Sequence, residues 1–231
     1  MNKNPVDDLY QEVASVIAEM KRNGDAPPVR IKSCLEHLRS GLEYLANDIY
    51  DKLTNIPENQ RKDIYFPYGK PVFIEKYLSR LSTSHETIQI LREFLTSIQP
   101  YHTGEEWLVM MCNLTNDAKH RRPIPLDKEE VITSQTISAG GVNLIHIAGA
   151  GTGRVQFEGC IVNGRPLQDF VYDNGKITSS GIGIPASLNI TKEKKIRFHG
   201  HDYEVIPFLE KCFNELHIFI KKGYSILRDL T

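Results

Sequence analysis

The apolar residues of this chain change their period twice, and that double change limits the fold more than any single motif. From Val6 to about His120 they recur at steps of three and four. From about Val131 to Phe198 they fall in short, often alternating runs, and from Val205 to Leu230 the helical step returns. The closing segment carries Ile206, Leu209, Phe213, Leu216, Ile220, Tyr224 and Leu227 on one stripe. A helix with such a stripe must bury it against an apolar partner, and the earlier helices offer one. The order predicts an α+β fold with a multi-helix, bundle-like core formed by residues 1–125 and 203–231. An antiparallel β-meander, residues 128–200, is inserted before the C-terminal helix, and the whole of 1–231 reads as a single domain. A chain of 231 residues is long enough to bury a sizeable core.

Within the helical part, Val6, Tyr10, Val13, Ile17 and Met20 mark a first helix, closed by Asn23-Gly24 and Pro27-Pro28. A longer helix over 29–53 places Ile31, Leu35, Leu38, Leu42, Leu45, Ile49 and Leu53 within an arc of roughly 80°. The segment Ile64-Tyr65-Phe66-Pro67-Tyr68-Gly69 reads as an aromatic loop tucked against the core. Helices near 72–81 and 84–98 follow, the second stopped by Gln99-Pro100. Thr103-Gly-Glu-Glu106 has the spacing of a capping box opening a helix from Gly104 to about His120. In the β-rich part, segments at 131–137, 142–148, 155–162, 168–172, 187–190 and 195–198 are separated by Ala139-Gly140-Gly141, Asn163-Gly164 and Asp173-Asn174-Gly175 turns, which predicts a meander of four to six strands.

Lys and Arg total 28 against 29 Asp and Glu, so the chain has no net basic field to gather nucleic acid non-specifically, although a local basic patch is compatible with that balance. The four cysteines, Cys34, Cys112, Cys160 and Cys212, are scattered without a CxxC pair or zinc spacing, which predicts free thiols, a reducing cytoplasmic setting and no metal. No apolar run approaches the ~20 residues of a membrane span, and the N-terminus is too polar for a signal peptide, so no membrane partner is expected. No sequence feature calls for a cofactor.

The most unusual stretch is Asn113-Leu-Thr-Asn116-Asp117-Ala-Lys119-His120-Arg121-Arg122. On a helical wheel Trp107, Met111, Leu114 and Ala118 cluster within roughly 60°, with Asn113, Asn116 and His120 on the opposite side. Two amides, an imidazole and flanking cations at a helix C-terminus suit proton transfer or phosphate contact, and they equally suit a solvated helix end. Arg39, one turn before Glu43 on the long helix, is a candidate anion clamp facing this cluster, or an ordinary i,i+4 ion pair. Gly149-Ala-Gly151-Thr-Gly153-Arg154 lacks a nucleotide-loop frame and reads as a hairpin tip. His199-Gly-His201 reads as a strand-to-helix turn, with no carboxylate cluster or cysteine beside it in the sequence.

The order Leu42-Glu43-Tyr44-Leu45-Ala46, Phe66-Pro67, Gln99-Pro100-Tyr101 and Leu114-xx-Asp117-xx-His120-Arg121 resembles a group of uncharacterised bacterial proteins with a helical half, an N-x-x-K-H-R signature and a β-rich half. The helical half also resembles the HEPN class, many of whose members are metal-independent ribonucleases using an Arg and a His four to six residues later. Asn116 stands where that class carries Arg; a literal Arg-x4-His occurs at Arg80–His85, across what reads as a helix break. The resemblance implies a binding or regulatory module in a bacterial defence or toxin–antitoxin setting. Its ligand would be RNA or another phosphate-containing molecule, and a homodimer or a protein partner would fit. The alternative it implies is an endoribonuclease or phosphoryl-handling enzyme. There His120 is the general acid/base, Asn116 and Asn113 orient substrate or imidazole, and Lys119, Arg121 and Arg39 hold phosphate.

Overall fold

The computed structural model describes residues 5–54, 56–57, 60–61, 64–120 and 123–230, the side chains of Pro5 and His120 excepted. The fold is α+β. It divides into two compact units, Met1–Asp127 with Ile196–Thr231, and Lys128–Lys195.

The first unit is helical: α1 (Pro5–Asn23), α2 (Pro28–Leu53), α3 (Pro71–Leu78), α4 (His85–Thr96), α5 (Pro100–Thr103), α6 (Trp107–His120) and α7 (Val205–Asp229). α2 is the hub, packed against α1, α6 and α7. Its stripe of Ile31, Leu35, Leu38, Leu42, Leu45 and Ile49 is fully buried, as the arc on the wheel predicts. Two glycines let helices close in. A Cβ on Gly41 would lie 2.8 Å from Tyr10 Cε2 and 3.0 Å from Ile220 Cδ1, and one on Gly223 would lie 2.7 Å from Leu45 Cδ2. The closing helix buries Leu209, Leu216 and Ile220 in the same core as α1 and α2, as its stripe requires.

The helix before the signature starts later than its sequence suggests. Thr103 ends the short α5, and its hydroxyl donates to the Gln99 carbonyl while accepting from the Glu105 amide. Gly104 then takes a left-handed conformation (φ 74°), so the chain reverses and α6 begins at Trp107. The capping-box spacing is met in sequence, but an αL glycine cannot open a helix.

The second unit holds most of the β structure: β1 (Leu126–Ala139), β2 (Val142–Ala148), β3 (Arg154–Phe157), β4 (Ile161–Val162), β5 (Arg165–Pro166), β6 (Asp169–Asp173), β7 (Lys176–Ser180) and β8 (Ser187–Phe198). The strands form three small sheets ordered β2-β1-β8, β3-β6-β7 and β4-β5. β1/β2, β3/β6, β6/β7 and β4/β5 are antiparallel. The expected antiparallel strands before the closing helix are present as small sheets, and β1 pairs with the last strand, β8, as well as with its hairpin partner β2. Ile137, Ala139, Val162, Leu167, Phe170 and Tyr172 make a core belonging to this unit, with Phe157 stacked on Phe170 at 4.6 Å. Buried Gln135 donates to the Ala150 carbonyl and accepts from Tyr172, which ties down the glycine loop at 149–153.

Candidate functional site

The site is built on the loop at 64–69, which follows α2 and precedes α3. Three polar side chains fasten its backbone. Glu43 Oε2 accepts from the Phe66 amide at 2.6 Å, and Asn47 Nδ2 donates to the Ile64 carbonyl at 3.2 Å. Gln99, fully buried, accepts from the Gly69 amide at 2.9 Å and donates to the carbonyls of Pro67 and Leu95, both at 3.1 Å. With its backbone held, the loop turns its side chains alternately: Ile64 and Phe66 join the core, while Tyr65 is 67% exposed and Tyr68 half-buried. The expected tucked aromatic loop is present, with two tyrosines facing outward.

Arg39 lies beneath this loop. It is 9% exposed, its Nε donates to Glu43 Oε1 at 2.6 Å, and the Tyr68 ring covers its guanidinium at 4.7 Å. Nη1 is buried without a hydrogen-bond partner among the described residues. Burial disfavours the charge, but neighbouring Cys112 and the Glu43 carboxylate outweigh it, so Arg39 is held above the ordinary arginine range. The same burial pushes the Cys112 thiol up to about 12, against the pull of Arg39. The exposed i,i+4 pair that the sequence allows is thus a buried one. The Tyr68 hydroxyl accepts from Asn116 Nδ2 at 3.4 Å, so Arg39, Tyr68 and Asn116 form a chain from α2 to α6.

Tyr68 also lines a cleft of about 610 Å³. Asn113 and Val109 line it from α6, with Glu106, the residue just before that helix, one turn earlier. Across from them stand Lys70, Lys76 and Arg80, with Tyr65 and Phe73, the latter 47% exposed. None of these three cations has an ion-pair partner among the described residues. Three cations and one carboxylate make the cleft basic in a chain of net charge −1.

Of the residues that stand out in the sequence, Arg39, Asn113 and Asn116 thus come to one place. Lys119 is exposed on α6 and has no partner among the described residues. The His120 side chain and all of Arg121 lie outside the described residues. Arg80 lines the cleft and His85 does not; the two are separated by the helix break that Ser84 caps by accepting from the Thr87 amide. The cleft's cations do not stand out, because Lys70, Lys76 and Arg80 look in sequence like ordinary solvated charges. The signal that could have found them is the crowding of Tyr65, Tyr68, Lys70, Phe73, Lys76 and Arg80 into a single short stretch.

A smaller cavity of about 430 Å³ borders α6 further along, lined by Leu114, Asp117, Pro123, Phe198, His199 and His201 among others. A carboxylate does stand beside the His199-Gly-His201 turn: Asp127 Oδ1 lies 2.9 Å from His199 Nδ1. Both side chains are largely exposed, and among the described residues no three His, Cys, Asp or Glu side chains gather as metal ligands. Nor is any described helix long and apolar enough to cross a membrane.

Comparison of the chain with protein-family models, with curated proteins and with solved structures gave no match.

Proposed function

We propose that the helical unit is a HEPN-like binding module that takes single-stranded RNA in the cleft between α3 and α6. One observation carries the reading: three cations without ion-pair partners among the described residues and two exposed aromatic rings share a single cleft whose loop backbone is fastened by the buried Gln99. Aromatic faces stack on bases of any sequence, and cations follow the backbone, which is how single strands are held without base readout. The overall charge of −1 does not oppose this, since the basic groups are local. The ligand class follows from the chemistry: a duplex hides its base faces, whereas an unpaired strand offers both faces and phosphates.

The test is fluorescence anisotropy with a labelled oligouridylate across a salt series. Wild-type protein should bind, with log K falling as log salt rises. Lys76→Glu with Arg80→Glu should weaken binding and flatten that slope by about 0.7 for each phosphate no longer neutralised. Phe73→Ala should cost about 1–3 kcal/mol. Wild-type protein that shows no saturable binding would end the reading.

A second reading is metal-independent RNA cleavage with His120 as general acid/base. It is supported by Asn113 and Asn116 standing at the cleft and beside Tyr68 on the helix that His120 ends. His120→Ala would then remove about 10²–10⁴-fold of the cleavage rate while binding persists.

A further inference from the structure

The buried guanidinium of Arg39 is poorly explained by its present neighbours. Nε is satisfied by Glu43, yet Nη1 is sealed from water with no hydrogen-bond acceptor among the described residues. An arginine N–H left unmet in the interior is costly, and such groups are seldom kept without a partner in some state of the protein. Arg39 does not line the cleft. Tyr68 does, and Tyr68 is what covers it.

The cover is held differently from the loop that carries it. Phe66 and Gly69 donate through their amides to Glu43 and Gln99, and the Pro67 carbonyl accepts from Gln99, so the backbone on both sides of Tyr68 is fixed. The Tyr68 side chain itself is held by its stacking and side-chain bonding with Arg39 and by one long, exposed bond from Asn116 at 3.4 Å, with no anchor to the backbone among the described residues. Displacing that side chain would uncover Arg39 on the side where the ring now lies, and the ring is part of the cleft lining.

We infer that Arg39 is a phosphate-binding residue of the cleft, covered by Tyr68 until a ligand's phosphate displaces the ring. This rests on the single-strand binding reading and specifies what the ligand must carry. Glu43 occupies Nε and the Tyr68 ring covers the guanidinium, so an anion that displaces the ring meets a recess. A phosphodiester within a strand is tethered on both sides and cannot enter such a recess end-on. A terminal phosphomonoester is tethered once and presents three oxygens, which suits a guanidinium fork. The ligand is therefore an oligonucleotide ending in phosphate.

The experiment is competition by three unlabelled oligoribonucleotides of one sequence, with a 5′-phosphate, a 3′-phosphate or hydroxyls at both ends, against an internally labelled strand. One phosphate-ended oligomer should bind wild-type protein about tenfold or more tighter than the hydroxyl-ended one, as expected for hydrogen bonds to a charged group. Arg39→Lys should reduce that ratio, Arg39→Met should bring it to one, and Tyr68→Ala should preserve it. Since Arg39→Met disturbs a buried ion pair, a second measurement leaves Arg39 in place. Phenylglyoxal modification of Arg39, read by peptide mass spectrometry, should be slow in wild type and faster in Tyr68→Ala. The preferred phosphate-ended oligomer should block it more than the hydroxyl-ended one at equal saturation. Equal affinity of all three oligomers for wild-type protein, or equal blocking, overturns the inference and leaves the binding reading standing. Failure of all three to bind removes both.

Discussion

Replacing Gln99 with leucine should unfasten the cleft while changing side-chain volume little. Gln99 is fully buried and joins three backbone groups: the Gly69 amide, the Pro67 carbonyl and the Leu95 carbonyl. Leucine offers none of these bonds. The Leu95 carbonyl sits in the last turn of α4, where tightened helical bonds can compensate. The Gly69 amide and the Pro67 carbonyl have no such recourse, and stranding each costs about 1–3 kcal/mol. Extra apolar burial offsets about 1 kcal/mol, and water entering from the cleft side relieves part of the Gly69 penalty. The expected net loss is about 2–4 kcal/mol, a large share of the stability of an ordinary domain. Urea denaturation at unchanged slope would measure it, and hydrogen exchange at the Gly69 amide would localise it, rising far more than exchange in α2. A loss below about 0.5 kcal/mol, or exchange at Gly69 no faster than in wild type, would refute the assignment of Gln99 as the anchor of the loop.

Gly41→Ala should destabilise despite the helix propensity it gains, because about 1 kcal/mol of propensity opposes about 1–3 kcal/mol of overpacking against the rigid Tyr10 ring at 2.8 Å; a raised melting temperature would contradict the close approach of α1 to α2. All four thiols should alkylate in denaturant, and under native conditions half-buried Cys160 should react first. Burial pushes the Cys34 and Cys112 thiols up to about 12 and raises Cys212 as well; rapid native labelling of Cys112, read by mass spectrometry, would count against its packing beside Arg39. Exchanging Lys128–Lys195 for a short Asn-Gly turn should leave a helical protein with one cooperative unfolding transition, since its core draws on neither β2 nor β7; loss of cooperativity would favour the single domain that the sequence predicts.

The helices are legible because burial on one side of a helix is written every three or four residues, as in Ile31, Leu35, Leu38 and Leu42. β1 and β8 read short for the converse reason. Residues 127–130 and 189–194 are exposed, so neither alternation nor apolar runs betray them, and their pairing joins residues as far apart as Thr133 and Thr191. The site is half legible. Composition and helical spacing point to Asn113, Asn116 and Arg39, but the groups that bring them together are remote in sequence. Tyr68 meets Asn116 across 48 positions, and Gln99 meets Pro67 across 32. No local pattern encodes such meetings. The capping-box spacing at Thr103 misleads because Gly104 uses its conformational freedom to reverse the chain.

The fastening of the 64–69 loop also bears on the order in which the protein assembles. Its anchors come from α2 through Glu43 and Asn47, and from the α4–α5 junction through Gln99, so the cleft has no shape until these helices have docked. A nascent or partly melted chain presents the tyrosines and lysines but not their arrangement. A ligand of this cleft would thereby be captured by finished molecules alone. Any ligand that binds the finished cleft will in turn hold the helices docked, raising the unfolding temperature in proportion to the logarithm of its concentration over its Kd.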